Sequence, residues 1–256
     1  MRPSTTRVVA LGASNLTRGF RTVVSTARAI AGPDVEVLAA LGHGRSYGLD
    51  SRILVRTLPG ILQSGLWPRL ESLPYAPTRG LVTDVGNDVL YGMSADRILT
   101  WVDEAVARLQ RVTDDIILTD LPMSRARQLS GLGFFAVRTI LVPQCRLTLS
   151  EVLDTAARVN DGLEAIAAKR RIEFFHLKRE WYGLDPIHIR PRLWRSAWHR
   201  ILCGDQTTPL SANVGSQREA VQLYFMKPER QWLFGREQFT AQDGISLAPG
   251  GRVWLY

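Results

Sequence analysis

The stretch Gly12-Ala13-Ser14-Asn15 places a small hydroxyl directly after the apolar run formed by residues 8 to 11. Far downstream, Asp185 and His188 stand three positions apart in Asp185-Pro186-Ile187-His188. Between them, Gly86-Asn87-Asp88 supplies a carboxamide, and "GHGRSYG" (42–48) supplies flexible backbone. This set has the parts of an acyl-transfer site. A serine is a weak nucleophile until a base takes its proton, and His188 can be that base for Ser14. Asp185 can orient the imidazole and stabilise its protonated form. The oxyanion that forms needs donors aimed at it. The backbone N–H groups of Ser14 and Gly44 and the side-chain amide of Asn87 are the candidates.

For residues so far apart to meet, the elements must deliver them to one place. Short apolar runs at 7–12, 35–41, 80–86, 115–122 and 171–177 read as strands. Between them, Phe20, Val23, Val24, Ala27 and Ile30 fall on one helical face. Ser94 can cap a second helix, and Ser150 opens a third. Alternating strands and amphipathic helices predict an α/β fold with a parallel sheet covered on both faces. In such sheets ligands bind beyond the carboxyl ends of the strands. Ser14, the 42–48 loop, Asn87 and the Asp185/His188 pair each follow a predicted strand.

These blocks resemble the SGNH hydrolase superfamily, also called GDSL-like esterases and lipases. The resemblance rests on Gly12-Ala13-Ser14-Asn15, on Gly44 (with Gly42 as rival), on Gly86-Asn87-Asp88 and on Asp185-Pro186-Ile187-His188, in that order. Leu121-Pro122 after the fourth strand adds to it. It covers roughly residues 7 to 202. It implies a flavodoxin-like three-layer sandwich with a five-stranded parallel sheet. It also implies cofactor-free and metal-free hydrolysis of small carboxylic esters through an acyl-serine. The chain departs from the family's pattern at Ala13, where an Asp often stands beside the nucleophile, so another group must hold that turn. Pro186 should stiffen the last block.

The remaining sequence sets bounds. Residues 203–256 have no counterpart in the family core. Runs at 219–225, 230–235 and 251–256 read as short strands, which predicts a catalytic domain over 1–202 and a β-rich extension over 203–256. The net charge is +8, and only three of the 32 basic residues are lysine. The arginines are scattered rather than clustered, which argues for a solvated basic surface rather than for nucleic-acid binding, with attraction of anionic substrates or surfaces as the alternative. No apolar run approaches the length of a membrane span. Two cysteines, Cys145 and Cys203, suit reduced thiols in the cytoplasm.

Other readings compete for the same residues. Gly44-Arg45-Ser46-Tyr47-Gly48 spells the nucleophile elbow of α/β-hydrolases, but it follows only the second strand. The same loop misses the spacing of a dinucleotide fingerprint. Asp88 reads as a turn residue. His43, His176, His188 and His199 lack metal-type spacing. At the level of function, the rivals are an acyltransferase on the same site and a non-catalytic binder of an anionic ligand in the same crevice.

Overall fold

A computed structural model of the protein describes residues 6–123, 146–183, 185–204, 216–248 and 250–256. Cys145 and Pro249 lie outside the described residues, as does Leu184 in the segment before Asp185. The strands are β1 (Arg7–Leu11), β2 (Glu36–Ala40), β3 (Ser51–Ile53), β4 (Arg56–Leu58), β5 (Thr78–Val82), β6 (Ile116–Thr119), β7 (Glu173–Phe175), β8 (Arg230–Leu233), β9 (Arg236–Phe239), β10 (Ile245–Ser246) and β11 (Arg252–Leu255).

The main sheet runs β10-β11-β2-β1-β5-β6-β7. All its neighbours are parallel except β10 and β11. The five strands expected from the sequence lie side by side in the flavodoxin-like order. The sheet has seven strands, not five, because the tail adds two. β11 pairs with β2, and its buried Val253 and Leu255 each contribute about 1.5–3 kcal/mol of apolar burial.

Alternating side chains along each strand feed two cores, as a period of two requires. Val8 and Ala10 of β1 pack toward the helices Ser14–Ala31 and Trp194–Cys203. Val9 and Leu11 pack toward Ala95–Leu109 and Leu149–Arg170. The sheet is thus the middle of three layers. The first helix pair lies close because position 19 is glycine. A Cβ there would sit 1.9 Å from Nε1 of the buried Trp198.

Helix starts follow their caps. Ser94 Oγ accepts the Arg97 N–H, as expected. The long helix begins at Leu149 rather than at Ser150, because Thr148 and Glu151 form a reciprocal capping box. The run 219–225 is not a strand. It lies largely in the helix Gln217–Tyr224, opened by a second capping box between Ser216 and Glu219. A separate antiparallel sheet, β3-β4-β8-β9, joins tail strands β8 and β9 to the β3–β4 hairpin that follows the 42–48 loop. Among the described residues, no helix is long and apolar enough to cross a membrane.

Candidate active site

The strand order reverses between β1 and β5, which opens a crevice at their carboxyl ends. Ser14 is the first residue of the helix after β1 and is 8% exposed. Its Oγ lies 3.0 Å from Nε2 of His188, which is itself 7% exposed. On the other side of the ring, Nδ1 lies 2.7 Å from Oδ2 of Asp185. A carboxylate can only accept, so Nδ1 carries the proton and Nε2 is left to accept from the serine. The hydroxyl, imidazole and carboxylate expected from the sequence form one continuous hydrogen-bonded line.

The Asp185 carboxyl titrates low. Burial would raise it, but the His188 hydrogen bond and charge, with the Ile187 and His188 N–H groups, outweigh burial and hold it at about 2. It is therefore an anion at neutral pH. Its three-residue spacing to His188 lets one carboxylate bond both the backbone and the ring of that residue.

The group that holds the Ser14 turn is Asp84. Its Oδ2 accepts the N–H groups of Ala13 and Leu16, both at 3.0 Å. These donors are orphans of the helix N-terminus, where a negative charge is stabilising. The Ser14 N–H lies between them and has no hydrogen-bond partner among the described residues. Asp84 itself adopts φ 59°, a left-handed conformation that aims its carboxylate across to the neighbouring strand end.

Asn15 ties the two halves of the site together. Its Nδ2 donates to Asp84 and, at 3.0 Å, to the carbonyl of Ile187. Its Oδ1 accepts the Ile189 N–H at 2.8 Å. The side chain thus grips the backbone on both sides of His188. Sequence reasoning missed Asp84 and the work of Asn15. The one available signal was the absence of an acid beside Ser14, which required a substitute without saying where it would come from.

The second loop is fixed by Asp88. Its carboxylate accepts the buried Ser46 hydroxyl and, at 3.0 Å, the Tyr47 N–H. Ser46 Oγ in turn accepts from Gly48 N and Leu49 N. Ser46 is fully buried and committed to this network, so it is a loop staple and not an elbow nucleophile. Asp88 does more than shape a turn. Burial raises its carboxyl to about 6 against the lowering effect of the two hydrogen bonds. Gly44 takes φ +64°, and a Cβ there would press on Ile53. Its carbonyl accepts the Tyr91 hydroxyl at 2.6 Å, while its N–H has no partner among the described residues. Gly42 closes a tight turn by accepting the Arg45 N–H. Asn87 lines the same pocket as Ser14, and its Nδ2 makes only a long 3.4 Å bond to the Arg45 carbonyl.

That pocket has a volume of about 120 Å³ and is walled mainly by apolar side chains, among them Leu121, Val152 and Leu153. Leu121-Pro122, singled out in the sequence, forms part of the wall.

No family model and no curated protein matches the chain. Solved structures do. A member of the lipolytic protein G-D-S-L family from Veillonella parvula is 14% identical at TM-score 0.50, over 79% of this chain and 100% of its own. The psychrotrophic esterase EstA from a Pseudoalteromonas species is 13% identical at TM-score 0.45, over 76% of this chain and 96% of its own. At such identities a likeness speaks to fold, and it is the first of these that carries it. The order of the sheet, the crevice between β1 and β5 and this neighbour agree that the chain has the fold of the lipolytic G-D-S-L, or SGNH-hydrolase, proteins.

Proposed function

We propose that the protein is a serine esterase of the SGNH type. Ser14 attacks the acyl carbon of a small ester as His188 Nε2 takes its proton. The same imidazole then returns a proton to the leaving alcohol, and water later releases the acyl group from Ser14 by the same relay. Asp185 holds the ring in the tautomer that this requires. The Ser14 and Gly44 N–H groups and Asn87 Nδ2 receive the oxyanion. The apolar pocket beside Ser14 takes the acyl chain. The cysteine content supports a cytoplasmic location.

The single observation behind this reading is the 3.0 Å contact between Ser14 Oγ and His188 Nε2, backed by the 2.7 Å contact to Asp185. Turnover of p-nitrophenyl butyrate by the wild-type protein and by Ser14→Ala is the test. Loss of turnover in the variant supports the esterase. Equal rates in both reject it and favour a binding protein. Transfer products with added acceptor alcohols would make the enzyme an acyltransferase.

A further inference from the structure

A second and larger cleft, of about 850 Å³, opens on the Arg18 side of the site. Its cationic lining comes from two places, Arg18 and Arg21 from the first helix and Arg56 from β4, with the His43 ring of the second loop beside them. Among the described residues, no Asp or Glu lines it. Such a wall attracts anions.

Two of these cations are set apart. Arg18 Nη1 stands 4.0 Å from Asp185 Oδ2, so it borders both the cleft and the hydrogen-bonded line. Arg56 is half-buried, and burial lowers its guanidinium below the usual value. Its guanidinium makes no hydrogen bond or ion pair to another described residue, while its backbone pairs within the β3-β4-β8 sheet. A half-buried guanidinium with its donors uncommitted can take an anionic acceptor from a ligand. The His43 ring responds to the same cations. Burial, then the charges of Arg18, Arg56 and His188, outweigh the opposing charge of Asp84 and push the ring toward the neutral form. These groups therefore share one electrostatic neighbourhood with the imidazole that would protonate a leaving alcohol.

We propose that this cleft holds the alcohol half of the ester, and that this alcohol bears a phosphate or carboxylate received by Arg56 and Arg18. The proposal rests on the esterase reading for its place in a reaction, but not for the binding itself. The substrate would then be polarised, with an apolar acyl group on one side of Ser14 and an anionic alcohol on the other. The exposed Tyr224 and Phe225 at the rim leave room for the alcohol to extend outward.

Calorimetry with three alcohols of similar length separates the outcomes: 3-hydroxypropyl phosphate, 4-hydroxybutyrate and 1,4-butanediol. We expect one anion to bind at least about tenfold more tightly than the diol, the effect of one charge-assisted contact. Whichever anion binds identifies the source of the charge. Arg56→Gln should abolish the difference, and Arg18→Gln, on another element, should reduce it. Equal binding of all three alcohols by the wild-type protein overturns the proposal. So does turnover of their butyryl esters with no preference for an anionic one. Anion binding that is lost in Arg56→Gln, without turnover of any ester, upholds the cleft and rejects the esterase instead.

Discussion

The Asp84 carboxylate accepts the side-chain amide of Asn15 at 2.9 Å, across the crevice between two adjacent strand ends. Through this bond the turn carrying Ser14 and the loop carrying His188 share one support. Asp84 fixes the backbone beside Ser14, and Asn15 fixes the backbone on both sides of His188. The 3.0 Å gap between hydroxyl and imidazole is thus set by two side chains that lie outside the Ser14–His188–Asp185 line.

Asn15→Ala should therefore damage the reaction more than substrate binding. The imidazole would lose its backbone grip, and a displacement of about 1 Å can cost on the order of 10²-fold in rate. Steady-state kinetics should show kcat reduced by roughly that factor with KM little changed. The unpaired Ile189 N–H should also cost about 1–3 kcal/mol of stability in chemical denaturation. A kcat near wild type would mean that Ile189 and Ile187 hold His188 without Asn15.

Asp185→Asn should lower kcat by roughly 10³ to 10⁴, because an amide donor facing Nδ1 favours the wrong tautomer. The same variant tests the low titration of Asp185. In the folded protein its carboxyl sits at about 2, below the usual 3.8. A depressed acid stabilises the fold above its unfolded value, and that contribution fades as pH falls through about 4 toward 2. Denaturation of the wild type should show this loss, and Asp185→Asn should show a shallower dependence over the same window. Identical slopes would mean that the carboxylate gains nothing from His188. The side chain is half exposed, so solvent screening keeps the effect modest.

Asn87 offers a sharper test of the oxyanion assignment. Its Nδ2 spends itself on a weak 3.4 Å bond, so little is lost when it turns to a substrate oxygen. Asn87→Ala should reduce kcat by roughly 10² to 10³ and leave KM near its starting value. An unchanged kcat would leave the Ser14 and Gly44 N–H groups as the donors.

What could be read from the sequence follows from the range of the forces involved. Strands β1, β2, β5 and β6 announced themselves because largely buried parallel strands are short continuous apolar runs, whereas β7, at the sheet edge with Glu173 exposed, was marked by Phe174 and Phe175. That Ser14, Asp185 and His188 would meet could be expected because strand ends collect at one rim. Asp84 could not, because its role depends on a left-handed backbone and on partners some 70 positions away. The place of β11 beside β2 was equally hidden, since a four-residue strand carries no mark of its neighbour. The helix Gln217–Tyr224 was legible in principle. Ser216 and Glu219 spell a capping box, but the run 219–225 also has the apolar content of a strand.

The hairpin between β8 and β9 turns on Phe234-Gly235, with φ 51° and 77°. Two positive values in a two-residue loop mark a type I′ turn, which favours Asn-Gly. Phe234 suits it poorly. An L-residue pays about 1–2 kcal/mol for that conformation, and the ring stays 80% exposed, so packing returns little. Its N–H bonds to the Val55 carbonyl in the neighbouring β3–β4 turn, where Leu54 is likewise left-handed at φ 54° and exposed. Phe234→Asn keeps that backbone bond and relieves the strain. It should stabilise the protein by about 1 kcal/mol, a rise of roughly 2–4 °C in Tm for a chain of this size. Calorimetry would decide. A lower Tm would mean that the ring packs against something in solution, and that the strain is offset by that contact.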